Sequence, residues 1–363
     1  MGWIITKKDI PEMSLGAKFL SCGGGGDTKT VEYLLLSIMT DSDMIVVKTI
    51  VDILNEWIVP VAIAGSTVLF NEDLPTGSEM GQTLQLYESI TKKTADAVIS
   101  IEMGGINGLI PLLVAIERGL PVIDGDGMGR AFPKLEMTSF FHSQVDRFPL
   151  VVLSGNNTLM VQNPQQFHEK FQSFLLNNDG YGHIAGYGMH GQQMKAAMIP
   201  GTLKLARDIG RVLSSGEVHR KLESLKILFS NSVYGNMEVV FMGRISSIHR
   251  WFESGVLVGT CHLDGQRSYH GEIADVYFQN EFLSMQVARE MRFTTPDLLI
   301  FVHYETGFPV SVSDIREGMV VFALTVSAPS VFYTKEMIGL TGPKGFDIPV
   351  AFNGGVPLYE NWN

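Results

Sequence analysis

The stretch that decides the fold is AVISIEMGGINGLIPLLVAIERGLPVIDGDGMGRAFP, residues 97–133. It opens with the β-branched run AVISIE (97–102), continues with the helical apolar pattern INGLIPLLVAIER (106–118) and reaches the run LPVID (120–124). A strand, a helix closed by Gly119 and a second strand in this order predict a right-handed parallel crossover. The N-terminal part of the chain is therefore expected to be an α/β domain with parallel-sheet crossovers.

The pattern changes towards the C-terminus. Two more buried strands are predicted at 44–50 and 59–64, and helical segments recur up to about residue 230. From about Val233 onward, short apolar runs alternate with turn residues, which is typical of an all-β barrel or sandwich. A chain of 363 residues is long enough for two cores. The sequence thus predicts an α/β domain over 1–230, carrying the active site, and a β-rich domain over 231–363.

The composition argues against several classes of partner. The 27 basic and 38 acidic residues give a formal net charge of -11, and no Lys/Arg cluster interrupts it, so neither nucleic acid nor an anionic membrane is expected to bind. The most apolar stretch, 44–65, contains charged residues and is not expected to span a bilayer. Cys22 and Cys261 lack disulfide or zinc spacing, and the N-terminus lacks a signal-peptide pattern, so the predicted location is cytoplasmic. The oligomeric state stays open, a homo-oligomer included.

Acidic residues follow both strands of the predicted crossover. Glu102 ends the first strand, and Asp124 ends the second and opens the loop DGDGMGRAFP (124–133). Since ligands bind beyond the carboxyl ends of parallel strands, we expect both acids in one cleft. The loop adds Asp126 and Arg130 among glycines that let the backbone approach a ligand. The competing interpretation is a structural turn in which Arg130 pairs with the aspartates.

A second candidate is the loop formed by Gly23, Gly24, Gly25 and Gly26, with Asp27 as the expected cap of the following helix. Consecutive glycines before a helix expose amides that bind anions or carbonyls, which favours a substrate-binding role over a tight turn. The loop is neither a P-loop, because no Gly-Lys-Ser/Thr follows, nor a dinucleotide fingerprint, because it follows a helix. No nucleotide cofactor is expected.

Residues 180–202 form a glycine-rich segment with His183, His190 and Lys195. Imidazoles on a flexible loop can bind a metal or act as a general base. The spacing of the two histidines matches no fixed metal geometry, however, so ordinary surface residues explain them better. Lys195 is kept as a substrate-binding candidate.

The motifs in these loops are similar to those of one family. The runs GGGGD (23–27), EMGGIN (102–107) and DGDGMGRAFP (124–133) together resemble the S-methyl-thiohydantoin desulfurase-like family, whose members are also described as hydantoinase-like. The likeness continues through IPGT (199–202), QNE (279–281) and PDLL (296–299), and so covers nearly the whole chain. It implies an N-terminal α/β domain, a β-rich C-terminal domain, a divalent metal ion, and hydrolytic removal of sulfur from a small thiohydantoin ring to give a hydantoin.

The resemblance suggests a hydrolase acting on a cyclic urea or thiourea. Water, activated by a metal on Asp124 and Asp126 or by Glu102 as a base, would attack ring C2. Arg130 or the glycine-loop amides would then stabilise the developing anion, and Asn107 would hydrogen-bond the ring amide. The further substrate-binding candidates are Gly104, Gly105, Asn107, Lys134 and Lys195.

Two departures from the family pattern favour an alternative. Lys134 stands where the family has glutamate, and Ala64-Gly65-Ser66 stands where it has Gly-Ala-Pro. If that glutamate is a ligand or a base, this chain is a catalytically impaired small-molecule-binding or regulatory member. Phosphate or nucleotide binding at the glycine loop is a third, weaker hypothesis.

Overall fold

The computed structural model describes residues 2–73, 75–253 and 256–352. It divides into two compact units. The first comprises 1–21 and 25–211, and the second comprises 22–24 and 212–363. The chain thus divides after Arg211, whereas the sequence places the boundary after residue 230. Among the described helices, none has both the length and the apolar character needed to cross a membrane.

The first unit alternates strands and helices. Its strands are β1 (Trp3–Thr6), β2 (Met44–Lys48), β3 (Trp57–Gly65), β4 (Ala97–Ser100), β5 (Val122–Ile123), β6 (Gly125–Asp126), β7 (Leu150–Ser154), β8 (Asn157–Val161), β9 (Tyr181–Ala185), β10 (Met189–His190) and β11 (Ile199–Pro200). Its helices are α1 (Ile10–Leu20), α2 (Lys29–Ile38), α3 (Thr67–Glu72), α4 (Glu79–Thr91), α5 (Ile110–Arg118), α6 (Ser139–His142), α7 (Pro164–Leu176), α8 (Gly191–Ala197) and α9 (Thr202–Ser214).

The main sheet of this unit is mixed, with strand order β1-β2-β5-β4-β3-β9-β7-β8 and β10 paired to β3. Its four central strands, β2, β5, β4 and β3, run parallel, and the two strands that flank them, β1 and β9, run antiparallel to them. Strand β3 is buried along most of its length, because a central parallel strand is covered on both faces. The predicted parallel crossovers are confirmed, within a sheet that also has antiparallel edges.

The crossover from β4 to β5 decides where the candidate acids lie. A 3-10 turn at Gly105–Gly108 precedes α5, which begins with Ile110 and Pro111 in its first turn. Gly119 ends the helix with a φ of 67°, the left-handed conformation that glycine adopts without strain. Strands β4 and β5 pair in parallel through Val98 and Val122, so the chain leaves both at the same edge of the sheet.

The second unit is mostly antiparallel sheet, as predicted. Its helices are α10 (Val218–Ser230) and α11 (Lys335–Thr341). Its strands are β12 (Met237–Glu253), β13 (Val256–Gly265), β14 (Ile273–Gln279), β15 (Glu281–Val287), β16 (Glu290–Thr294), β17 (Leu298–His303), β18 (Pro309–Val310) and β19 (Val320–Val326). The sheet order is β16-β15-β14-β13-β12-β19-β17-β18. Aromatic side chains fill its core, with the rings of Phe282 and Phe301 4.3 Å apart.

Candidate functional site

Glu102 lies two residues beyond the end of β4 and is held in place by two hydrogen bonds. Asn107 Nδ2 donates to its Oε1 at 2.6 Å, and the backbone amide of Phe132 donates to its Oε2 at 3.1 Å. The side chain is 8% exposed. Because both carboxylate oxygens are oriented by groups on two different loops, the position of the acid is set by the fold around it.

Burial raises the pKa of Glu102 to about 7. The bonds from Asn107 and Phe132 oppose this rise, and the negative charge of Asp126 adds to it. A carboxyl group with a pKa near neutrality is present in both protonation states at physiological pH, which is what a general acid or base requires.

Asn107 connects this acid to the neighbouring strand β3. Its Oδ1 accepts from the amide of Ile63 at 2.6 Å, and its Nδ2 donates to the carbonyl of Ile63 at 3.0 Å as well as to Glu102. Both amide hydrogens of Asn107 are therefore used inside the protein. This geometry favours a positioning role for Asn107 over the predicted hydrogen bond to the ring amide.

Asp126 is fully buried in β6 and organises the loop that follows it. Its Oδ2 accepts from the amides of Met103, Met128 and Gly129 at 2.9, 2.9 and 2.6 Å. Its Oδ1 and the hydroxyl of Thr202 are buried and form no hydrogen bond with the part of the chain that the structure describes. Burial raises the pKa of Asp126 to about 6, although the amides and the nearby Thr202 hydroxyl oppose the rise. The carboxylate joins the loops after β4 and β5.

Both carboxylate oxygens of Asp124 accept hydrogen bonds from other parts of the fold. Oδ1 accepts from the amide of Lys204, the third residue of α9, at 3.0 Å. Oδ2 accepts from the indole nitrogen of Trp3 at 3.2 Å. The first turn of a helix has amides without intrahelical partners, and Asp124 satisfies one of them. This environment favours a structural role, as the competing interpretation proposed, with α9 and Trp3 as partners.

The metal site predicted on Asp124 and Asp126 stays a prediction. Within residues 2–73, 75–253 and 256–352, no three His, Cys, Asp or Glu side chains gather as a metal site requires. Asp124 already accepts a hydrogen bond at each oxygen, and Asp126 binds three amides through one of its two. Asp126 Oδ1, which is buried and has no hydrogen-bond partner among the described residues, is the oxygen of the pair that is open to a further ligand.

Arg130 lies on the loop 124–133, which binds Glu102 through the amide of Phe132. It is only 1% exposed, its Nε donates to the carbonyl of Ala131 at 3.3 Å, and its guanidinium carbon is 4.9 Å from the ring centroid of Phe132. The amide of the same Phe132 binds Glu102. A buried cation is thus placed on the segment that orients the candidate base.

Gly25, Gly104 and Gly105 bring two loops of the first unit into backbone contact. The amide of Ile106 donates to the carbonyl of Gly25 at 2.8 Å. A Cβ at Gly105 would lie 2.0 Å from that carbonyl oxygen, and a Cβ at Gly104 would lie 2.3 Å from the amide nitrogen of Ala131. These glycines permit close packing of main chain on main chain, whatever they do for a ligand.

The first half of the glycine loop belongs to the second unit. The amide of Phe282 donates to the carbonyl of Cys22 at 2.9 Å, and the amide of Val312 donates to the carbonyl of Gly23 at 2.9 Å. A Cβ at Gly24 would meet the carboxylate of Glu281 at 2.1 Å. The four glycines thus serve two different packing environments, which a single continuous motif in the sequence does not reveal.

Most of the remaining candidate residues are exposed or half-buried, and one lies in a buried strand. Lys134 is exposed at the start of a 3-10 turn, and Lys195 is half-buried on α8. Asp27 is exposed and accepts from the amide of Lys29 at 3.2 Å, but the N-cap of α2 is Thr28 and not Asp27 as predicted. His183 is not on a loop: it lies in the buried strand β9, where burial lowers its pKa to about 4 and keeps the ring neutral. His190 is exposed beside Trp57.

Sequence reasoning missed two residues that support the acids. The Ser100 hydroxyl bonds with the carbonyls of both Glu102 and Asn107, and so ties the turn after β4 together. Thr202 begins α9 beside Asp126. The IPGT motif at 199–202 was a signal for Thr202, whereas a serine near the end of a strand carries no signal by itself.

Comparisons with known proteins match nearly the whole chain, with family models that meet near residue 163 and not at the division after Arg211. A family model described as the S-Me-THD-like N-terminal domain matches residues 8–163, and the corresponding C-terminal domain model matches residues 162–354. A crystal structure of a protein from Chromobacterium violaceum is 19% identical, with a TM-score of 0.80 over 98% of this chain and 100% of that chain. At that identity the likeness shows the fold. No curated protein matches the chain.

Proposed function

The chain belongs to the S-Me-THD-like family, and on that premise we propose that it is a hydrolase that removes sulfur from a thiohydantoin-type ring with Glu102 as general base. The observation that carries the proposal is Glu102 itself. It is buried, is oriented by Asn107 and Phe132, and has a pKa raised to about 7. Asp126 binds three backbone amides through one oxygen, and Asp124 binds an amide of α9 and the indole of Trp3.

The proposed reaction replaces the sulfur on ring C2 by oxygen. Ionised Glu102 removes a proton from water as the water oxygen bonds to C2. As the C2–O bond forms, the C=S double bond opens and its electron pair moves onto sulfur. Glu102 gives its proton to this sulfur and, ionised again, takes the proton of the new C2 hydroxyl group. The C=O bond then forms, the C2–S bond breaks, and sulfur leaves as hydrosulfide, which takes the proton from Glu102 and becomes hydrogen sulfide. The water oxygen stays on C2 as the hydantoin carbonyl, and Glu102 ends in its ionised form.

We assign to Arg130 the stabilisation of the negative charge that develops on sulfur. Its guanidinium is buried, and a charge acts more strongly where water is excluded. No step of the proposal depends on a metal.

The position of Lys134 does not support the impaired-enzyme alternative. Its side chain is exposed, whereas Glu102 and Asp126 are buried. An exposed ammonium is screened by water and changes the charge of a buried carboxylate cluster little. The hydrolase is therefore the function that we put forward.

The test is turnover by wild type and Glu102→Gln, with 2-thiohydantoins that differ in their C5 side chain. Hydantoin is measured by chromatography and released sulfide by a thiol reagent. Because glutamine keeps the shape but not the basicity, we expect at least about a hundredfold lower kcat. Wild-type activity should rise as the pH passes about 7, where Glu102 ionises.

Glu72→Gln is the matched control, since Glu72 is an exposed acid at the end of α3. It should retain wild-type kcat. Comparable turnover by Glu102→Gln and wild type would remove Glu102 as the base. Failure of wild type to release sulfide from any of these rings would overturn the proposed reaction.

A further inference from the structure

The second unit contains a groove of about 420 Å³ that the proposed hydrolase does not use. It lies where β12, the end of β17 and the start of β19 meet the turn at 266–269. Its volume is within the range of small-molecule sites.

The sheet register explains which side chains face each other there. Arg244 of β12 pairs with Val320 of β19, and the amide of Tyr304 donates to the carbonyl of Val320 at 3.0 Å. Arg244 and Tyr304 therefore flank the same residue from two sides. Met242, which is buried, adds apolar surface next to Val320. The groove thus combines an apolar floor with polar walls.

The walls carry more positive than negative charge. Arg244 and Arg267 both line the groove, and neither forms an ion pair with any residue in the described ranges. One acid, Glu305, lines it as well.

Arg267 is held in a defined orientation. It donates through Nη2 to the hydroxyl of Tyr304, and its guanidinium carbon lies 5.4 Å from the centroid of the same ring. His303, also in the wall, accepts at Nδ1 from the amide of Glu305 at 3.3 Å. An ordered guanidinium loses less conformational entropy on binding a planar or tetrahedral oxyanion than a freely rotating one does.

We propose that this groove binds a small molecule through a carboxylate or phosphate group. The oxyanion is bound by Arg244 and Arg267, and the apolar remainder lies on Met242 and Val320. Arginine forms paired, charge-assisted hydrogen bonds with both kinds of oxyanion, so the shared chemistry is the negatively charged oxygen pair. The site is independent of the hydrolase proposal, because each of its residues lies in the second unit.

Calorimetric titration of the full-length protein with inorganic phosphate and, separately, with citrate at low ionic strength tests this proposal. Wild type should bind at least one of the two, and which one binds more tightly identifies the preferred oxyanion. Arg244→Ala and Arg267→Ala should each weaken binding by about tenfold or more, because each removes a charge-assisted pair. Melting temperatures should stay close to wild type, since both side chains are exposed.

Two matched variants sharpen the outcome. Arg292→Ala removes an exposed arginine of β16 that already pairs with Glu290 at 3.2 Å, and it should leave the affinity unchanged. Glu305→Gln removes the acid of the wall and should tighten binding. Absence of binding by wild type, or equal affinity in wild type, Arg244→Ala and Arg267→Ala, would overturn the proposal. Glu102→Gln should bind the anion as wild type does, so this result is separate from the fate of the hydrolase.

Discussion

The acids at the ends of β4 and β5 look equivalent in the sequence but have different surroundings. Glu102 is held by one side-chain amide and one backbone amide, and its pKa is raised to about 7. Asp124 receives an amide of α9 on one oxygen and the indole of Trp3 on the other. Burial raises the pKa of Asp124 as well, so the two acids differ in their partners: Asp124 caps the first turn of a helix, whereas Glu102 binds only groups of the neighbouring loops.

The largest effect should come from Asp126, the acid that joins the two loops. Asp126→Ala leaves the buried amides of Met103, Met128 and Gly129 without an acceptor. We expect a loss of about 4 kcal/mol in the free energy of unfolding. Urea unfolding measures it. Asp126→Asn is the control, because its carboxamide oxygen can accept the same bonds and its NH₂ faces Thr202. An equal loss of unfolding free energy in Asp126→Ala and Asp126→Asn would show that the loops depend on the negative charge and not on the hydrogen bonds from the amides.

A second prediction uses the pH dependence of stability. The pKa of Glu102 rises from its ordinary value of 4.5 to about 7 because the side chain is buried. The folded protein therefore keeps a proton that the unfolded chain has already released. Stability should fall as the pH rises from about 4.5 to about 7, by on the order of 3 kcal/mol from this group.

Glu102→Gln ionises in neither state, so it should lose this part of the pH dependence and exceed wild type in stability at pH 8. Unfolding in urea at pH 5 and at pH 8 compares the two proteins. Asp126 is present in both proteins, and burial raises its pKa to about 6. Both proteins therefore keep the part of the pH dependence of stability that comes from Asp126. Glu72→Gln should follow wild type. Parallel curves for Glu102→Gln and wild type would contradict the raised pKa.

A third prediction concerns Asp124. Asp124→Ala removes a cap from the first turn of α9 and the acceptor of the Trp3 indole. We expect a loss of about 1–2 kcal/mol in unfolding free energy, with turnover per folded molecule close to wild type. Trp3→Phe removes the indole donor but leaves the hydrogen bond from the amide of Lys204 to Asp124. A large loss of turnover in a fully folded Asp124→Ala protein would place Asp124 in the chemistry and break the contrast with Glu102.

The smallest effect is expected at Lys134. Because this side chain is exposed at the start of a 3-10 turn, Lys134→Glu should change unfolding free energy by less than about 0.5 kcal/mol and leave kcat unchanged. Metal titration by calorimetry should give the same result for both proteins. Tighter metal binding by Lys134→Glu would restore the idea that this position tunes a metal site.

The sequence by itself determined the fold class and the positions of the acids. Periodicity is a local signal, so β4, α5 and β5 could be located from β-branched runs, an apolar helical pattern and the stop at Gly119. Parallel crossover then requires both strands to end at one edge, which places Glu102 and Asp124 at that edge without any coordinates.

Only the tertiary structure decided what each acid does. The partners of Asp124 come from Trp3 and Lys204, far away in sequence, and the division of the glycine loop depends on Phe282 and Val312. The burial that raises the pKa of Glu102 likewise depends on loops that meet only in the folded chain. Hydrogen-bond partners and local dielectric are properties of three-dimensional packing, so no local pattern of residues could distinguish the candidate base from the helix cap beside it.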